Sequence, residues 1–128
     1  MPGPISPSLE DYLEAILAVA DPKEGARTTD IAAKLQVSKA SVNQAMSLLA
    51  NHGLVQQEKY GPVYLTKQGH TKACLVYRRH QAIKSFLVAV LGVSEDTAEE
   101  DACKIEHVLS KESMDCLLDF MERKDNDS

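Results

Sequence analysis

From Thr66 to Leu91 the chain carries one long amphipathic pattern, and the other segments must be arranged around it. Apolar residues recur at Ala73, Val76, Tyr77, Ile83, Phe86, Leu87, Val90 and Leu91. That three-and-four spacing gives a helix one buried stripe. Thr66 suits its N-cap and Gly92 its stop. At about 1.5 Å per residue the helix reaches roughly 40 Å, enough to join two units. His80 falls midway along the stripe, where the spacing asks for an apolar side chain. It reads either as a satisfied core histidine or as a ligand, and the flanking segments bear on which.

The 128 residues allow one or two small domains. No apolar run is long enough to span a bilayer, and the N-terminus lacks a signal-peptide pattern. No membrane partner is expected. Cys74, Cys103 and Cys116 are odd in number and form no CxxC pair, which suits a reducing cytoplasm. Met1 to Pro7 reads as a short proline-rich arm, and Asp125 to Ser128 as a frayed polar tail. The net charge of −5 is unevenly spread. Residues 1–74 hold seven basic and seven acidic side chains, against seven and twelve in residues 75–128. The first part is neutral and can still present a local basic face, with modest non-specific affinity for DNA.

Ser8 is expected to cap a first helix, with Leu9, Tyr12, Leu13, Ile16, Leu17 and Ala20 buried. Asp21-Pro22 begins a turn that runs through Gly25. A short second helix comes next, from about Thr29 to Leu35, with Thr28 as N-cap. After the Gln36-Val37 turn, Ser38 caps a third helix to about Asn51, burying Val42, Ala45, Met46, Leu48 and Leu49. Gly53 closes it in the left-handed conformation. Two short helices around a tight turn form a helix-turn-helix pattern. Leu54 to Lys59, Tyr60-Gly61-Pro62 and Val63 to Thr66 then read as strand, turn and strand. The expected fold is mainly α: a winged helix-turn-helix over residues 1–74, then a helical domain over 75–128.

The solvent side of the third helix offers groups that read and hold DNA. Asn43 and Gln44 can pair bidentately with adenine, while Ser and Lys suit phosphates. The same face could be ordinary solvated surface, but its place in a winged helix favours DNA. The candidate contacts are Thr28, Thr29, Ser38, Lys39, Ala40, Ser41, Asn43, Gln44 and Ser47, with Lys59 and Tyr60 on the wing.

Beyond the long helix, Ser94 caps a fifth helix with Ala98, Ala102, Ile105, Val108 and Leu109 inward. Ser110 caps a sixth from Lys111 to Arg123, with Met114, Leu117, Leu118, Phe120 and Met121 on its apolar side. Helices four to six carry more apolar surface than one thin layer can bury, which a two-fold interface would absorb. Cys103, Glu106 and His107 stand at i, i+3 and i+4, one face of the fifth helix. Thiol, carboxylate and imidazole can ligate a transition metal, with His80 as a fourth candidate. Taken alone the triplet also fits a surface carboxylate paired with lysine. Asp11 and Glu14 are a turn apart on the first helix, where they could equally serve the helix terminus and solvent.

Three segments together resemble the diphtheria-toxin-repressor and manganese-transport-regulator family: Glu10 to Ile16, Tyr77 to His80, and Asp101 to Ser110. The resemblance takes in Ser38 to Val55 and covers nearly the whole chain. It implies a homodimeric, divalent-metal-activated transcriptional repressor, with Asp11, Glu14, His80, Cys103, Glu106 and His107 on metal-ligand positions. It also implies double-stranded DNA with an inverted-repeat operator as partner, a cytoplasmic location and no enzymatic activity. The chain departs from both branches. Iron-type members have a methionine where Asp11 stands and a third, SH3-like domain, which is not expected here. Manganese-type members have a glutamate where Cys103 stands. The soft thiolate favours Fe²⁺ as the activating ion, with Mn²⁺ as the alternative, and Co²⁺ or Zn²⁺ can substitute in vitro. Two other readings remain open: a metal-independent winged-helix regulator that senses oxidation through Cys103, and a small metalloenzyme. Against the second, no general base and nucleophile stand apart from the ligands.

Overall fold

The computed structural model describes the backbone of residues 7–58 and 61–127 and the side chains of 9–58 and 61–124. Lys59, Tyr60, most of the N-terminal arm and Ser128 lie outside the described residues. The chain is mainly helical and divides into two compact units, one ending at Val76 and one beginning at Tyr77.

In the first unit, α1 spans Pro7–Val19, α2 Thr28–Leu35 and α3 Lys39–Asn51. Their apolar stripes meet in one core, where Leu13, Ile16, Ile31, Val42, Met46 and Leu49 are fully buried. Helix α1 begins at Pro7, so Ser8 lies inside the helix rather than at its cap. Proline tolerates the first turn because its missing N–H would have no partner there. Arg27, not Thr28, takes the N-cap position of α2, and it offers no side-chain cap hydrogen bond. Ser38 caps α3 as expected: its hydroxyl accepts from the Ser41 N–H at 3.1 Å. Leu48 is 44% exposed, contrary to expectation, because it lies beside the polar face of α3 rather than between Ala45 and Leu49.

The wing is an antiparallel pair, β1 Val55–Gln57 and β2 Val63–Leu65, in register Val55↔Leu65 and Gln57↔Val63. Ala26 adds a further rung, exchanging two 2.8 Å backbone bonds with Val63. Gly25 makes that approach possible. Its φ is +75°, and a Cβ there would stand 2.7 Å from the Val63 carbonyl oxygen. The Asp21 carboxylate accepts from the backbone N–H groups of Lys23 and Glu24, which hold its pKa below the ordinary value.

Helix α4, Lys67–Ser85, starts in the first unit. The Thr66 hydroxyl accepts from the Gly69 N–H at 2.9 Å and donates to the Gly53 carbonyl at 2.7 Å. The cap is therefore also a clasp on the turn after α3.

The second unit holds the rest of α4, then a π-helical turn over Phe86–Val90, α5 Glu95–Ile105 and α6 Lys111–Asp127. The expected single helix to Leu91 thus changes winding at Phe86. Leu91 N–H bonds back to the Phe86 carbonyl, five residues earlier, at 3.3 Å. A π turn rotates the residues after it relative to their places on a continuous α-helix. Accordingly Val90 and Leu91 are exposed, not buried; Tyr77, well before the π turn, is also exposed where burial was expected. Gly92, with φ +76°, ends the segment. Ser94 and Ser110 cap α5 and α6, accepting from Thr97 and Ser113. Ala82, Ile83, Ala102 and Met114 form a small core. Phe86 and Phe120 meet edge to face at 6.0 Å. Val108 is 80% exposed because α5 has already ended, and Phe120 is 40% exposed. Helix α6 continues to Asp127, where a frayed tail was expected.

Candidate metal centre and nucleic-acid face

The metal-type donors of the second unit are brought together by two elements. His80 lies on α4, six residues before the winding changes at Phe86, and is 3% exposed. Cys103 lies in the last turn of α5. Glu106 is that helix's C-cap and keeps a helical φ of −59°, so the i, i+3 spacing from Cys103 survives the helix end. His107 continues the turn with an N–H bond to the Lys104 carbonyl.

The donor atoms cluster. His80 Nδ1 is 3.8 Å from Cys103 Sγ and 3.9 Å from Glu106 Oε2. Glu106 Oε1 is 3.4 Å from His107 Nε2. Ligands at ordinary metal–nitrogen and metal–sulfur lengths around a tetrahedral ion stand about 3.3–3.8 Å apart. The donors suit a divalent transition ion in kind, and these three neighbouring pairs stand at or near that separation. The Glu106 side chain has no exposure, while Cys103 is exposed. A carboxylate is kept out of water only beside cations or donors, and two imidazoles flank this one.

His80 has a second neighbour that sequence reasoning missed. Its Nε2 is 2.9 Å from Glu99 Oε1 and 2.5 Å from Glu99 Oε2. The available signal was that Glu99 lies one turn before Cys103 on α5, and so on the same side.

Asp11 and Glu14 are in the first unit, one turn apart on α1 and both half-buried. Their neighbour Glu10 pairs with Lys72 at 3.5 Å.

Of the DNA candidates, Thr28 and Thr29 open α2. Lys39, Ala40, Ser41, Asn43, Gln44 and Ser47 are all exposed on α3. Ser38 also donates its hydroxyl to Ser41 Oγ at 3.0 Å, so both serines are ordered by the cap before any ligand arrives.

Two family models match this chain. Residues 5–63 match the iron-dependent repressor N-terminal DNA-binding domain, and residues 66–128 match the metal-binding and dimerisation domain. The chain belongs to the iron-dependent repressor family. As a member, it is a metal-dependent, DNA-binding transcriptional repressor and not an enzyme. The expected fold, a winged helix-turn-helix followed by a helical dimerisation domain, is that of the family. The chain is 39% identical over 120 residues to an uncharacterised helix-turn-helix-type transcriptional regulator of Methanocaldococcus jannaschii, covering 93% of this chain and 96% of that one. It is 36% identical over 115 residues to the transcriptional regulator MntR of Salmonella typhimurium, covering 90% of this chain and 73% of that protein. Among solved structures it resembles the manganese regulator SloR, with a TM-score of 0.78 and 31% identity, over 92% of this chain and 55% of that one. No helix among the described residues is long and apolar enough to cross a membrane.

Proposed function

We propose that this repressor is activated by Fe²⁺ and binds, as a homodimer, an inverted-repeat operator in cytoplasmic DNA. One observation carries the metal reading: in the second unit His80 Nδ1 neighbours both Cys103 Sγ and Glu106 Oε2, and Glu106 in turn neighbours His107. By the family resemblance, Asp11 and Glu14 complete the ligand set. A bound divalent ion supplies the positive charge that these carboxylates and the thiolate need to be held together. Cys103 favours Fe²⁺ over Mn²⁺, because a thiolate is soft and Mn²⁺ prefers oxygen. A second reading, Mn²⁺ as the activator, is supported by the three carboxylates of the set and by the names of the manganese-regulating relatives. The half-activating concentrations of Fe²⁺ and Mn²⁺ for operator binding, measured anaerobically side by side, separate the two.

The dimer reading rests on the apolar surface of the second unit. Tyr77, Val90, Leu91, Val108 and Phe120 are all exposed there. Solvent-facing side chains of this size in one small unit suit a self-complementary interface. Sedimentation at micromolar concentration is expected to give a dimer with or without metal. A monomer in both conditions would contradict it.

On the DNA side, Gln44 and Asn43 are the proposed base readers, and Lys39 and Ser41 the phosphate contacts. Lys59 and Tyr60, outside the described residues, are proposed to touch the DNA backbone. Gln44→Ala should relax base preference at one position of each half-site, costing roughly 1–3 kcal/mol on the preferred sequence. Equal weakening on every sequence would remove Gln44 from base reading.

A further inference from the structure

We infer that Glu99, with Lys84 behind it, is a positioning residue that fixes the tautomer of His80 and so aims Nδ1 at Cys103 and Glu106. The inference rests on the metal reading for its purpose, but its structural content can be measured without metal.

His80 is buried and its two ring nitrogens face different chemistry. Nε2 meets both oxygens of Glu99, at 2.9 and 2.5 Å. Nδ1 meets Cys103 Sγ at 3.8 Å and Glu106 Oε2 at 3.9 Å. An ionised carboxylate can only accept, so Glu99 selects the form with the proton on Nε2. That leaves the Nδ1 lone pair bare. A neutral imidazole ligates through its bare nitrogen, and a carboxylate on the opposite N–H fixes the ring and raises its basicity.

Lys84 completes the arrangement from the same helix face as His80, one turn on. Its Nζ lies 3.8 Å from the same Glu99 Oε2. The ammonium sits beside that oxygen and helps hold the carboxylate against the His80 ring. Glu99 is half exposed and Lys84 is partly exposed, so water screens this pair and its effect is secondary to the histidine contact. The exposure also means that Glu99→Gln should fold normally. Glutamine can either accept from or donate to imidazole, and so loses the selection without changing the shape.

The test uses ¹⁵N-histidine-labelled protein, metal-free, at about pH 8, above the ordinary imidazole range. Long-range proton–nitrogen correlations read the tautomer of each ring. Wild type is expected to show His80 with Nε2 protonated. Glu99→Gln is expected to show a mixture or the Nδ1-protonated form, and Lys84→Met a smaller shift in the same direction. A Co²⁺ titration, monitored by thiolate-to-cobalt absorption, should then show Glu99→Gln binding on the order of 10–100-fold more weakly than wild type. An unchanged His80 tautomer in Glu99→Gln, or a Co²⁺ affinity within about threefold of wild type, would overturn the inference. Wild-type protein that bound no Co²⁺ would instead remove the metal reading, while the nitrogen shifts would still decide whether Glu99 orients His80.

Discussion

Gly69→Ala is expected to unfold the first unit or bring it close to unfolding. A Cβ on Gly69 would stand 1.8 Å from the Leu54 carbonyl oxygen and 2.8 Å from its carbon. Those are backbone atoms, so no rotamer change relieves the clash. The same carbonyl accepts the Thr66 N–H at 3.0 Å, and Thr66 in turn holds both Gly53 and Gly69. Moving Leu54 away would therefore break the clasp between the turn after α3 and the start of α4. The cost should reach or exceed the upper end of the overpacking range, roughly 3 kcal/mol. Gly53→Ala is the useful contrast. Its φ of +74° disfavours a side chain, but the Cβ would meet only a Gln68 side-chain oxygen at 3.6 Å. That change should cost about 1–2 kcal/mol, the ordinary penalty of a left-handed alanine. Thermal and urea unfolding of the two variants gives the comparison. A Gly69→Ala protein as stable as Gly53→Ala would show that α4 does not pass as close to Leu54 as described.

Cys103 substitutions should separate metal identity from assembly. Cys103→Ala removes the one soft donor beside His80 Nδ1 while leaving Glu106 and His107 in place. The loss in Fe²⁺ affinity should be at least the 10–100-fold typical of losing an outer-shell partner. Dimerisation should be untouched, because Cys103 is not among the exposed apolar side chains proposed for the interface and is outside the apolar core of the second unit. Cys103→Glu replaces a soft ligand by a hard one and should move the activation preference toward Mn²⁺. Half-activating concentrations for Fe²⁺ and Mn²⁺, read from operator binding by the three proteins, check both statements. An unchanged ranking in Cys103→Ala would make the thiol a bystander and put Mn²⁺ first.

The features legible in the sequence were mostly local. Ser38, Ser94 and Ser110 each cap a helix because a hydroxyl reaches the N–H three residues on, a rule that needs no tertiary information. The triplet Cys103, Glu106 and His107 was legible for the same reason: its spacing is set by one helical turn. Arg27 shows the limit of this reasoning. The preference for threonine at a cap did not set the start of α2: Arg27 takes the cap, directly after the Ala26–Val63 rung. The π turn at Phe86–Val90 was not legible, because its five-back hydrogen bond leaves the apolar spacing almost unchanged while turning Val90 and Leu91 outward. Glu99 was missed because its partner lies on another element. The residues are 19 positions apart, and only the packing of α5 beside α4 makes the carboxylate a neighbour of His80.

A divalent ion bound by this chain is expected to control its grip on DNA. The direct measurement starts from a randomised duplex pool selected against Fe²⁺-loaded, full-length protein under anaerobic conditions. Affinity for the enriched duplex is then measured before and after addition of a chelator, and again after metal is restored. The expected result is enrichment of inverted repeats, loss of specific binding on chelation and recovery on restoring the metal. Specific binding of equal affinity with and without chelator would contradict it.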